Sequence, residues 1–308
     1  MIDFKRILCP VDTSEFSERA LRYAAALSRW YGADLTVLSV RPLALPPALW
    51  MEYPVGPLLE PIDLTAEEER VRTFIQTVAG PSSAKVVVRD GSIAPEILQA
   101  ARDLGSDLVV MGTHGRGGFE HWLLGSVAEN VLRRATCPVL TVPRQTSEPN
   151  GDRLVMFKSI VCAIDFSRDS QRALHYALSL AQAAAGRLIL VHALEQFEGE
   201  EPIVTAHFDV PEFRRQLERD ARQRLEDMIP PSARAWCETN VVVAHGKASR
   251  EVLRVAQAYE ADLIVLGVHG RNAVDLLLFG STTQHVLHHA RIPVLTVPRD
   301  VKTAAIAA

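Results

Sequence analysis

Short, continuously apolar runs alternate along the chain with longer segments whose apolar residues recur at helical spacing. In the first half, RILCPVD (6–12) is an apolar run that ends in a polar turn. SERALRYAAALSRWYG (17–32) places Ala20, Leu21, Ala24, Leu27 and Trp30 or Tyr31 near helical spacing and stops at a glycine,. A second strand, DLTVLSV (34–40), leads into a proline-rich loop at 41–61 that holds Trp50 and Tyr53. The pattern then predicts a helix over 66–80, a strand over 84–91 and a helix over 94–105. Pro95 sits in the first turn of that helix, where a missing N–H costs least,. A strand at 107–112, a helix at 126–135 and a strand at 138–143 complete the half. Continuous Val/Ile/Leu strands separated by helices predict a mostly parallel sheet buried on both faces. In open α/β sheets, ligands sit at the carboxyl ends of the strands where the strand order reverses.

The second half repeats this order. KRILCPVDTSEFSERALRYAAAL (5–27) returns 153 positions later as KSIVCAIDFSRDSQRALHYALSL (158–180), and CPVLTVPR (137–144) returns as IPVLTVPR (292–299). Two homologous halves follow, residues 1–146 and 155–300, with the polar stretch at 145–154 as the natural linker,. A chain of 308 residues is long enough for two such domains,.

Asp12 and Asp165 end the first strand of each half, and a glycine loop of spacing G-x2-G-x9-G-S follows each fourth strand. The loops are GTHGRGGFEHWLLGS (112–126) and GVHGRNAVDLLLFGS (267–281). Glycine tolerates positive φ and lets a ligand approach the backbone. Gly125-Ser126 and Gly280-Ser281 open helices whose first N–H groups and dipole favour an anion,. An aspartate suits ribose hydroxyls or a base and disfavours a bare phosphate. Together these groups describe a nucleotide site; glycines that merely let the chain turn are the alternative. Neither loop carries the lysine of a G-x4-G-K-[ST] phosphate loop, and the first turn, CPVDTSE, is not G-x-G-x-x-G,.

These residues resemble the universal stress protein family in its tandem, two-domain, ATP-binding form. The resemblance covers nearly the whole chain and rests on D-x-S at each first strand end, G-x-H-G-R, the glycine loops and PVLTVPR. It implies an α/β fold of two tandem open-sheet domains, each a five-stranded parallel sheet of order 3-2-1-4-5 flanked by helices. It also implies roles by position. Asp12 and Asp165 would contact ribose or adenine, and the backbone at Val40 and Ala193 would hold adenine. Gly112, Gly115, Gly125, Ser126 and Val127 would hold ribose and phosphates, as would Gly267, Gly270, Gly280, Ser281 and Thr282. The cofactor implied is ATP with Mg2+. The function implied is nucleotide-dependent regulation in a stress response through a protein partner, with slow ATP hydrolysis as the alternative. The last strands could pair within one chain as a pseudo-dimer or between chains as a homodimer.

Composition narrows the classes. The formal net charge is −4 with no cluster of Lys and Arg, which argues against nucleic acid,. No apolar run approaches the length of a membrane span, and MIDFKRILCPVD lacks the pattern of a signal peptide, so a cytoplasmic protein is expected,. Cys9, Cys137, Cys162 and Cys237 show no CxxC spacing, and Cys9 and Cys162 lie in apolar runs as small core residues,. For hydrolysis, Arg116 and Arg271 lie beside the loops, and Glu120 and Asp275 hold matching loop positions,. His285 and His289 stand at i, i+4 on one helical face, a spacing that binds metal, but no carboxylate or Cys ligand is evident nearby,.

Overall fold

The structure is a computed structural model, and it describes residues 2–42, 64–80, 83–114, 124–146, 157–195, 210–268 and 280–299. The chain divides into two compact units, one spanning Phe4–Arg144 and the other Met156–Ala308, the latter also taking in residues 2–3 and 145–146. The first half runs β1 (Arg6–Val11), α1 (Glu15–Tyr31), β2 (Asp34–Arg41), α2 (Leu64–Ala79), β3 (Lys85–Asp90), α3 (Ile93–Asp103), β4 (Leu108–Gly112), α4 (Ser126–Arg134) and β5 (Val139–Val142). The second runs β6 (Ser159–Ala163), α5 (Arg168–Ala184), β7 (Arg187–Leu194), α6 (Val210–Asp227), β8 (Glu238–His245), α7 (Ala248–Ala258), β9 (Leu263–Gly267), α8 (Ser281–His289) and β10 (Val294–Val297). A short 3-10 helix, Pro231–Ala235, precedes β8 and has no counterpart among the described residues of the first half.

Strand order in the first half is β3-β2-β1-β4-β5, and in the second β8-β7-β6-β9-β10, each the 3-2-1-4-5 order. Neighbouring strands within each half are parallel. Parallel strands need helical crossovers, and right-handed crossovers put α1 and α2 on one face, α3 and α4 on the other. In keeping with that, α1 packs against α2 and α3 against α4.

Central strands are buried on both faces, which is why they read as unbroken apolar runs. Leu8 and Cys9 of β1, Ile160 to Cys162 of β6 and Leu263 to Val265 of β9 are fully enclosed. All four cysteines are free and buried, and burial pushes the Cys9 and Cys162 thiols far above the usual thiol range, so both serve as core residues,. In α1 the stripe Ala20, Leu21, Ala24 and Leu27 faces this core, as its spacing predicts,.

The two halves end their first helices differently. Gly32 closes α1 in the left-handed region, φ 64°, where glycine is at ease,. In α5 that conformation falls on Ala185, φ 43°. The adjacent Gly186 serves close packing, since a Cβ there would stand 2.7 Å from the Lys158 carbonyl oxygen.

Candidate nucleotide site

Each first strand runs into its helix through one turn. The Asp12 carboxylate accepts N–H and O–H from Ser14, and Ser14 caps α1 by accepting the Ser17 N–H. Asp165 accepts the Ser167 N–H, and Ser167 caps α5 by accepting the Ser170 N–H. The D-x-S motif is thus an Asx turn followed by an N-cap. The middle residue of each turn is forced into the left-handed region: Thr13 at φ 57° and Phe166 at φ 63°. Non-glycine residues rarely adopt that conformation, and its cost, of order 1 kcal/mol or more, gathers at functional turns.

The other predicted residues converge on the same edge. Val11 pairs with Ser39, which sets Val40 alongside the Asp12 turn. Ala163 pairs with Val191, and the Ile164 N–H donates to the Val191 carbonyl, which sets Ala193 beside the Asp165 turn. β4 and β9 lie next to β1 and β6, so Gly112 and Gly267 end at this edge too. The start of α4 folds back onto the end of β4 through Gly125 N–H to Thr113 O, 2.8 Å. In the second half Gly280 N–H reaches Val268 O at 3.2 Å, and the Thr283 hydroxyl bonds Gly267 O at 2.9 Å. Asp12, Val40, Gly112, Gly125, Ser126 and Val127 therefore lie along one carboxyl edge of the sheet, at the point where β1 sends the chain one way and β4 the other, where open α/β sheets form their crevice,. Asp165, Ala193, Gly267, Gly280, Ser281 and Thr282 share its equivalent. Gly115, Gly270, Arg116, Arg271, Glu120 and Asp275 lie outside the described residues.

Positive φ is not why glycine stands at the described loop positions. Gly125 and Gly280 have φ of −61° and −58°. What these positions exclude is a Cβ. One added at Gly112 would be 3.0 Å from Phe16 O, and one at Gly267 would be 2.9 Å from the Asp169 carbonyl carbon, so each strand end seats against the first turn of α1 or α5.

Two chemical resources remain at each crevice. The first-turn amides of α4 and α8 have no partner within their helices, and neither N-cap glycine supplies a side-chain acceptor,. Ser126 and Ser281 are exposed there. Such a helix start accepts an anion; the aspartate across the crevice accepts a hydroxyl or amine. In the first half, Arg144 adds a cation, with its guanidinium 5.4 Å from the centre of the Phe16 ring, and His114 stands 6.0 Å from that ring. Arg144 belongs to the PVLTVPR run, and its place just past a strand end is the sequence signal for a role at this edge.

No cluster of three or more metal-ligating side chains occurs among the described residues. His285 and His289 stack with ring centres 4.0 Å apart, and His289 Nδ1 is engaged with the His285 carbonyl oxygen at 2.8 Å. Burial first, and then the nearby His289, Lys247, Arg250 and His288, hold the His285 pKa below the usual histidine range. That positive neighbourhood disfavours a cation. No described helix is long and apolar enough to cross a membrane.

The universal stress protein family model matches residues 3–143 and again 156–298. The chain belongs to the universal stress protein family. It is a tandem member, since the two matches account for both halves. A universal stress protein of Mycolicibacterium smegmatis is 26% identical over 301 residues, covering 94% of this chain and 96% of that one. A shorter relative from Thermus aquaticus is 36% identical over 147 residues, 46% of this chain and 99% of its own length. Among solved structures, a universal stress protein from Archaeoglobus fulgidus superposes with a TM-score of 0.66 at 24% identity. The superposition covers 96% of this chain and 98% of that one, a likeness of fold.

Proposed function

We propose that each half binds one molecule of ATP across its crevice and that the bound nucleotide regulates the protein's association with a partner. The observation that carries this reading is the pairing, in both halves, of an aspartate turn with an uncapped helix start at the point where strand order reverses,. Asp12 and Asp165, oriented by Ser14 and Ser167, accept from ribose hydroxyls. The backbone at Val40 and Ala193 meets the adenine edge. The amides of Ser126 and Val127, or Ser281 and Thr282, with the serine hydroxyls, donate to phosphate oxygens. With no cluster of metal ligands among the described residues, Mg2+ would enter as the counter-ion of the triphosphate, carried by its oxygens and water. Regulation requires that ATP bind two states of the protein with different affinity.

Titration calorimetry of nucleotide-free protein with ATP and Mg2+ tests this, alongside Ser126→Pro and Ser281→Pro. Proline is tolerated at the first helical position but removes both the N–H and the hydroxyl there. Two sites per chain are expected, each weakened about tenfold or more by its own proline, as for loss of a hydrogen bond to a charged group. Wild-type protein that takes up no ATP, or proline variants that bind it unchanged, would sink the reading.

A further inference from the structure

The second half contains a cavity between the end of β7, α6 and the Asp165 turn. It measures about 540 Å3 and is lined by Phe166, His192, Leu194, Leu217, Asp220 and Arg224, among others. That size falls in the range of roughly 300–1,000 Å3 usual for small-ligand sites. Successive side chains leave a strand on opposite faces, so His192 and Leu194 point toward α6, away from the side taken by Ala193,. The cavity therefore lies on the α6 face, whereas the glycine strand end and the start of α8 belong to the proposed nucleotide crevice.

The halves can be compared position by position. Ser39 and His192 correspond, 153 residues apart. Val71 and Ile75 of α2 are buried as Ala221 and Leu225 of α6 are, which matches Glu67 to Leu217. In the first half the Ser39 hydroxyl donates to Glu67 at 2.7 Å, Glu67 pairs with Arg70 at 2.6 Å, and Glu67 is only 7% exposed, a closed polar contact. In the second half Leu217 is 41% exposed and the space stays open. The turn residue has also changed, from Thr13 to Phe166.

Arg224 gives this space its chemistry. Its guanidinium lies 3.8 Å from the centre of the Phe166 ring, and the His192 ring meets that ring at a tilt of 49° with centres 4.5 Å apart. Arg224 forms no ion pair with a described residue, although Asp220 stands one helical turn away; the Asp220 carboxylate accepts instead from Gln216 at 2.6 Å. A cation held on an aromatic face beside apolar walls fits an anionic head on an apolar body. Asp220 at the same wall opposes a second negative charge.

We infer that this cavity binds a small organic monoanion with a flat apolar body, its charged group on Arg224 and its body against Phe166, Leu194 and Leu217, in the second half only. The cavity adjoins the proposed ATP crevice through Phe166 of the Asp165 turn but opens on the other face of β7. Titration calorimetry with naphthoate as probe tests it, with the uncharged naphthamide as control, on wild type, Arg224→Gln and the double variant His192→Ser/Leu217→Glu that installs the first-half pair. Circular dichroism melts verify that each variant is folded. Wild type should bind one naphthoate per chain. Naphthamide, or Arg224→Gln with naphthoate, should bind about tenfold or more weaker. The double variant should lose binding, and saturating ATP should leave the naphthoate affinity unchanged. No binding to wild type, an unchanged affinity in Arg224→Gln, or displacement of naphthoate by ATP would overturn the inference. Failure to bind ATP at all would count against the nucleotide reading and leave this one standing.

Discussion

Gly267→Ala separates what the fold needs from what a ligand needs. Gly267 ends β9, and an added Cβ would stand 2.9 Å from the carbonyl carbon of Asp169 and 3.0 Å from its oxygen and its Cβ. Those are mostly backbone atoms in the first turn of α5, with no flexible end to swing aside. Yielding is hindered on the strand side too, where the Thr283 hydroxyl holds the Gly267 carbonyl. Overpacking of this kind costs about 1–3 kcal/mol. The alanine recovers about 0.4–1 kcal/mol by restricting the unfolded chain. A net loss of roughly 1–2 kcal/mol remains, a fall in Tm of about 2–8 °C for a unit of this size. Gly112→Ala should lose less, since its nearest contacts are carbonyl oxygens at 3.0 and 3.2 Å. Differential scanning calorimetry without nucleotide reads both variants. A Gly267→Ala protein that melts like wild type yet no longer binds ATP would refute the reasoning, because the glycine would then serve the ligand and not the contact with α5.

Asp262 gives a pH test. Burial raises its carboxyl from 3.8 to about 6, against the opposing effect of amides donated by Lys158 and Ser159. A raised folded pKa means a contribution that is full below about pH 4 and lost as pH rises through 6, so wild type should lose roughly 3 kcal/mol relative to Asp262→Asn between about pH 4 and pH 7. Urea unfolding across that range checks it; a flat difference would show that the amide donors cancel burial, and a difference of opposite sign that they outweigh it. Ala185→Gly should raise stability by about 1 kcal/mol by relieving the left-handed alanine that closes α5, read from the same urea midpoints,. Ser126→Ala and Ser281→Ala should leave stability unchanged or slightly higher, since alanine is the better helix former, while weakening ATP binding in the matching half; calorimetry of both quantities decides it.

Much of the fold was legible because local and tertiary demands agree. Strands buried on both faces must be apolar throughout, and α1 shows its core stripe and its stop at Gly32 in one short segment, although its start, capped by Ser14, lies two residues before the Ser17 from which the pattern was read. The duplication made the second half readable by transfer, and strand order followed from the family resemblance. The site was legible as a set of positions but not in its reasons. Spacing alone cannot say whether a glycine is needed for its φ or for the room it leaves, and at Gly112 and Gly267 it is the room. Contacts across the sheet were also out of reach. Asp107 and Asp262 recur just before each fourth strand and accept amides from the start of the first, more than 100 residues away, yet a lone aspartate before a strand reads as a turn. The Phe166–His192–Arg224 group was hidden because it appears only when the halves are compared where they differ.

That difference bears on how a duplicated motif should be weighed. Asp12 and Asp165 tie a turn, Gly112 and Gly267 admit a helix, and Gly125 and Gly280 dock a helix start on a strand end. Each has a packing task that would preserve it in both copies with no ligand present, so recurrence alone argues for the fold more than for ATP. The discriminating groups are those the fold does not use. The hydroxyls of Ser126 and Ser281 are exposed at helix starts, cap neither helix and occupy positions where alanine would serve the helix better,. On the reading proposed above, they donate to the phosphates of the bound nucleotide. By the same logic, Leu217 and His192 stand where the first half closes its space with Glu67 and Ser39. A tandem protein whose halves share their turn and strand-end contacts but differ beside the site can keep one nucleotide chemistry in both while giving only one of them a second ligand to answer to.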